Sequence, residues 1–212
     1  MKYPEKGNIN SLDIRNAVSV LQAGGLVAFP TDTLYALGAN SSMESALEKV
    51  YEVKGRPSGM ALPILVGSFS DIYKIAIDIP EVTWRLIDAF WPGPLTIILN
   101  KTQEISDIIS GGGRTVAIRM PNHPIALELI RSVGVPITGT SANISGGQNP
   151  SAASDVELSL GRSVDLILDG GKCGESGAST ILDLTFEHPK LVRLGVLSLE
   201  EIHSVEPNLI VH

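Results

Sequence analysis

Apolar positions along this chain recur in two alternating periods, and the alternation predicts an α/β fold. From Ser11 to Ala23, Leu12, Ala17, Val18 and Leu21 fall on one helical face, with Gly24-Gly25 as the stop. Leu26-Val27-Ala28-Phe29 is a short unbroken apolar run closed by Pro30, the pattern of a buried strand. A second helix is expected from an N-cap at Ser42 towards Val53, with Ala46, Leu47, Val50 and Tyr51 as its apolar stripe. Leu62–Val66 reads as a strand, and Phe69–Ala76 and Glu81–Phe90 as helices. The β-branched runs Leu95–Leu99 and Thr115–Arg119 predict strands. His123–Val133 predicts an amphipathic helix, followed by a strand over Pro136–Thr140. Short strands follow at Leu166–Leu168, Thr180–Leu184 and Leu191–Leu194, and a last helix at Ser198–His203.

Composition narrows the class. The 212 residues fit one large domain, and 43% hydrophobic with 18% charged residues is the balance of a globular protein. No apolar run approaches the ~20 residues that span a bilayer, so no membrane is expected. Met1–Gly7 lacks the apolar segment of a secretory signal. Cys173 is the single cysteine, which excludes an internal disulfide and suits a reducing, cytoplasmic location. It stands in a glycine-rich stretch with no base beside it and reads as a small loop residue. The net charge of −7 argues against a surface that coats nucleic acid, yet leaves room for a local cationic pocket.

Candidate chemistry gathers where predicted strands end, the usual place for ligands in α/β sheets. Pro30-Thr31-Asp32-Thr33 packs two hydroxyls and a carboxylate behind the first strand, as a turn or as a ligand site. Lys54-Gly55-Arg56-Pro57 puts two cations at a helix end, where they suit either the helix dipole or a phosphate. In Thr115–Arg119, side-chain alternation sends Thr115, Ala117 and Arg119 to one face. No structural acid is evident for Arg119, so a ligand carboxylate or phosphate is the expected partner. Gly139-Thr140-Ser141-Ala142-Asn143 offers neutral donors, but Asn143 stands where a hydrolase nucleophile elbow has glycine. No Walker A loop is present, and His123, His188, His203 and His212 lack metal-ligand spacing. Distributed cations and hydroxyls without a nucleophile suit phosphoryl or nucleotidyl transfer.

Seven segments in order are similar to the YrdC family of threonylcarbamoyl-AMP synthases. They are Pro30–Gly38, Lys54–Pro57, Trp91–Thr96, Arg119–Pro121, Ser141–Gly146, Ser179–Asp183 and Val192–Gly195. The resemblance implies a YrdC-like domain over 9–199, a tail over 200–212, and no extra carboxy-terminal domain of the kind longer relatives carry. It implies a single-domain twisted mixed sheet with flanking helices around a large cationic cavity, the YrdC/RibB-like architecture. It also implies a reaction that joins L-threonine, bicarbonate and ATP into threonylcarbamoyl-AMP and pyrophosphate, with Mg2+ expected. The product would feed N6-threonylcarbamoylation of tRNA through downstream transferase machinery. Thr33, Arg119, Gly139 and Ser179 would hold threonine. Lys54, Arg56, Thr115, Ser141, Asn143, Asn149 and Arg193 would hold ATP, with Lys54, Arg56, Ser141 and Asn143 nearest the chemistry. No metal-ligating residue is implied. Met60 and Leu65 depart from many relatives, which place Asn or Lys at the first position and a histidine near the second. The competing reading is an RNA-binding module with a concave cationic face; weak RNA contact is compatible with either. Carbamoyl transfer, as in hydrogenase-maturation proteins, would call for accessory segments that this sequence does not show.

Overall fold

The structure, a computed structural model, describes residues 9–174 and 177–211; the reading of Met1–Gly7 and that of His212 fall outside them. Helix α1 (Ser11–Gln22) starts at Asn10, whose side chain accepts from the backbone of Leu12 and Asp13 while Asp13 bonds back to Asn10. Ile14, Ala17 and Leu21 form its buried face, whereas Leu12, expected in the stripe, is 55% exposed. Leu12 lies two residues before Ile14, roughly 200° around the helix, so the two cannot share a face.

Strand β1 (Val27–Phe29) pairs antiparallel with β2 (Ala36–Gly38), Phe29 opposite Ala36. Helix α2 (Glu44–Lys54) buries Ala46, Leu47, Val50 and Tyr51 as expected. Its N-cap is Met43 rather than Ser42, and no side chain caps it. The turn is organised instead by Asn40, whose side chain accepts from Ser42 N and whose carbonyl accepts from Met43 N. Beyond β3 (Ile64–Leu65), the stretch expected as one helix divides into a 3-10 turn at Phe69–Asp71, α3 (Ile72–Ile75) and an extended β4 (Ala76–Ile77).

Helix α4 (Glu81–Phe90) leads to β5 (Leu95–Lys101), the short α5 (Asp107–Ser110) and β6 (Thr115–Arg119). Helix α6 (Pro124–Val133), with His123 at its N-cap position and Pro124 at its start, packs on α1 through Leu129 and Ile130. The strand expected over Pro136–Thr140 is two strands, β7 (Ile137–Thr138) and β8 (Thr140–Ser141). Then come α7 (Ala153–Leu160), β9 (Leu166–Ile167), β10 (Thr180–Asp183), β11 (Lys190–Arg193) and α8 (Leu199–Val205).

The strands form two twisted mixed sheets, not one. The smaller runs β8-β2-β1-β9; the larger runs β11-β10-β5-β6-β3-β7, with β4 added against the far end of β5. Gly139 is the residue where the chain leaves the larger sheet for the smaller. Here the backbone approaches its neighbour closely: a Cβ on Gly139 would lie 2.3 Å from Leu65 Cγ, and Gly139 N donates to Pro63 O at 2.9 Å. Residues beyond 199 stay joined to the body through an ion pair of 2.7 Å between Arg85 and the buried Glu206. Among the described residues, no helix is long and apolar enough to cross a membrane.

Candidate functional site

A cavity of about 310 Å3 opens where the two sheets meet, within the size range of small-molecule sites. Its floor is the face of the larger sheet carrying Leu65, Ala117, Arg119, Thr96, Ile98 and Ile181. Strand alternation explains the set: Val116 and Ile118 turn the other way into the core, leaving Ala117 and Arg119 to the cavity. Leu65 and Arg119 are direct partners across β3 and β6. The wall comes from Thr31 and Thr33–Ala36, at and before β2 of the smaller sheet, and from Gly139-Thr140-Ser141.

Eight of the sequence candidates line this space: Thr33, Arg56, Arg119, Gly139, Ser141, Asn149, Ser179 and Arg193. Lys54, Thr115 and Asn143 do not. Thr115 shares the face of Ala117 but sits at the outer end of β6, opposite Asn100. Lys54 is 1% exposed and its ammonium is fully engaged. It donates to Ser141 O, to Asn143 O at 2.6 Å and to Asn143 Oδ1 at 3.3 Å. Asn143 in turn accepts from Ser141 Oγ at 2.7 Å and donates to Gly147 O and Gln148 O. Together the two residues give the Ser141–Gln148 loop its shape. Burial, with help from Arg56, pushes the Lys54 ammonium down to about 8.

Arg119 is buried, and its guanidinium is held on three sides. Nε donates to Gly93 O at 3.0 Å, Nη1 to Thr33 Oγ1 at 2.8 Å and Nη2 to Asp32 Oδ1 at 2.6 Å. The expectation that Arg119 has no structural acid is therefore wrong. Its acid, Asp32, arrives from the other sheet, 87 residues away in the chain, and sequence proximity could not reveal it. Burial pulls the Arg119 pKa down and Asp32 pulls it back up.

Arg193 reaches over β10 to donate to Ser179 O at 2.8 Å and to Ser179 Oγ at 3.2 Å. Ser179 Oγ also pairs with Thr96 Oγ1 at 2.8 Å. Gly195 permits this packing, because a Cβ there would stand 2.2 Å from Ala178 O. Arg56 folds onto its own loop, donating to Met60 O and Ala61 O. Met60 thus serves through its carbonyl, while its side chain is exposed, so a different residue type at this position leaves the contact intact. Burial lowers the pKa of both Arg56 and Arg193, and both remain cationic.

Sequence reasoning overlooked Asp32 as the partner of Arg119, and Thr96 as a cavity residue, while the turn weighed for Pro30–Thr33 is present. Thr31 Oγ1 donates to Leu34 O at 2.6 Å and accepts from Leu34 N and Thr33 N, which fixes the turn presenting Thr33. The signal for Thr96 was its place inside Trp91–Thr96, whose Gly93 carbonyl anchors Arg119. Cys173 is buried and its thiol is pushed up to about 11, chiefly by desolvation, which disfavours the thiolate. Among the described residues, no group of three or more His, Cys, Asp or Glu side chains stands together.

Two packed mixed sheets with an arginine-lined cavity at their junction define an α/β protein with a candidate ligand site, and the comparisons narrow this to one family. Residues 19–195 match the Sua5, YciO and YrdC family, described as telomere recombination, and the chain belongs to that family. It is 43% identical over 204 residues to a threonylcarbamoyl-AMP synthase of Pyrococcus abyssi, covering 96% of this chain and 60% of that protein. The P. abyssi Sua5 structure complexed with L-threonine superposes with a TM-score of 0.94 at 43% identity, over 98% of this chain and 61% of the other. The E. coli YciO structure superposes with a TM-score of 0.83 at 29% identity, over 92% and 95% of the two chains. The chain thus spans about three fifths of the length of the P. abyssi relative.

Proposed function

We propose that this chain is a threonylcarbamoyl-AMP synthase, acting on L-threonine, bicarbonate and ATP. The observation that carries the reading is the convergence of Arg56, Arg119 and Arg193 with Thr33, Ser141 and Ser179 on one cavity whose lining has no His, Cys, Lys, Asp or Glu to activate a hydroxyl. The likeness to the P. abyssi synthase supports it.

The threonine amine forms a C–N bond with the bicarbonate carbon and water leaves. A carbamate oxygen then attacks the α-phosphate of ATP, the bond to the β-phosphate breaks, and pyrophosphate departs. No protein group becomes covalently attached, so the work is alignment and charge neutralisation in a site that restricts water. Arg119 receives the threonine carboxylate, flanked by Thr33 and Ser179, with Gly139 leaving room beside them. Arg56 and Arg193 face the phosphates and offset charge that builds on the leaving pyrophosphate. Ser141 and Asn149 contact the nucleotide, and Lys54 and Asn143 hold the loop that carries them. ATP enters as its magnesium complex, the ion carried on phosphate oxygens. The product passes to the tRNA-modifying transferase machinery in the cytoplasm.

Purified chain with ATP is expected to release pyrophosphate only when both threonine and bicarbonate are supplied. Release at the same rate without threonine overturns the reading.

A further inference from the structure

A guanidinium has five N–H donors, and the protein occupies three of those on Arg119. One N–H is left on each terminal nitrogen, two donors that a single carboxylate can accept. What sets the plane of the guanidinium is Asp32. Its Oδ1 accepts from Arg119 Nη2 at 2.6 Å and from the backbone N of Asn122 at 3.0 Å. The carboxylate is therefore pinned to the turn that enters α6. Both members of the pair are withdrawn from water, with side chains 9% and 15% exposed. Asp32 does not line the cavity, and its one side-chain partner among the described residues is Arg119, so it acts on the site through that guanidinium.

We propose that Asp32 is the positioning residue of the amino-acid subsite: it fixes the guanidinium of Arg119 so that the two remaining N–H groups meet the α-carboxylate of the substrate. This rests on the synthase reading above. Because Asp32 already balances the charge of Arg119, the subsite recognises its ligand by direction and hydrogen-bond geometry more than by surplus charge. The effect of moving Asp32 therefore falls on the amino acid and leaves the triphosphate, held by Arg56 and Arg193, alone.

Pyrophosphate release by the full chain tests this, with threonine titrated at saturating ATP and ATP titrated at saturating threonine. Asp32→Glu shifts the acceptor by one methylene and is expected to raise the threonine KM about tenfold, with the ATP KM within about twofold of the parent. Asp32→Asn keeps an acceptor oxygen at the same reach and is expected to restore the threonine KM to within about threefold. Asp32→Ser, too short to reach Arg119, gives the same split as the glutamate variant and replaces it if that variant does not fold. An unchanged threonine KM in the glutamate or serine variant overturns the proposal, as does a parallel rise in both KM values, which a merely structural role produces. A parent chain without threonine-dependent release fails the functional reading itself; a working parent with no split fails only the role of Asp32.

Discussion

Arg119→Lys is expected to lower threonine-dependent pyrophosphate release by about two orders of magnitude or more, with ATP binding retained. Lysine keeps the positive charge beside Asp32 but has one nitrogen on a flexible stem. That nitrogen cannot serve Gly93 O, Thr33 Oγ1 and Asp32 Oδ1 at once, as the guanidinium does. Whichever partner it chooses, no planar fork remains for a carboxylate. Two buried acceptors also lose their donor, so the melting temperature falls as well. Steady-state kinetics with threonine as the varied substrate, alongside thermal melting, separates the two effects. A variant with parental threonine kinetics removes Arg119 from the site.

Lys54→Met is expected to cost about 2–3 kcal/mol of stability at neutral pH and to raise the ATP KM about tenfold, with less effect on threonine. Methionine fills similar volume, so the loss is the ammonium that ties Ser141 O and Asn143 O together at the Ser141–Gln148 loop. The pH dependence carries a definite sign. Burial lowers the folded-state pKa of Lys54 to about 8 from its ordinary 10.5. Between those values the unfolded chain binds the extra proton, so the contribution of Lys54 to stability rises with pH across that window. Denaturant melts of parent and variant should therefore diverge as pH is raised from about 8 towards 10.5. Curves that converge instead would mean that burial does not disfavour the charged form.

Long, strongly periodic segments could be read from the chain directly. Glu81–Phe90 and Thr115–Arg119 have the expected bounds, because each carries a clean period of one kind between clear stops. Other elements depend on neighbours far away in sequence. β2 lies within a stretch marked for its polar chemistry, and it is extended because Ala36–Gly38 pairs with β1 on one side and β8 on the other. Pro136–Thr140 looked continuous because strand propensity does not register which sheet a residue joins; the close packing of Gly139 on Leu65 marks the crossing. The site followed the same rule. Which residues gather was legible in their order along the chain, and Thr33, Arg119, Ser179 and Arg193 do meet. How each is held was not, since the Asp32–Arg119 and Lys54–Asn143 contacts span 87 and 89 residues. Lys54 shows the consequence: its place at a helix end could not reveal that its ammonium donates to Ser141 O and Asn143 O, 87 and 89 residues on.

The most direct test of carbamate-dependent adenylation follows the bicarbonate carbon. Purified chain, ATP, threonine and isotopically labelled bicarbonate are combined, and the nucleotide products are weighed by mass spectrometry. The expected product is a mixed anhydride of AMP that carries both threonine and the labelled carbon, formed in step with pyrophosphate. Pyrophosphate accompanied by a threonyl adenylate without the label, or by free AMP alone, contradicts it.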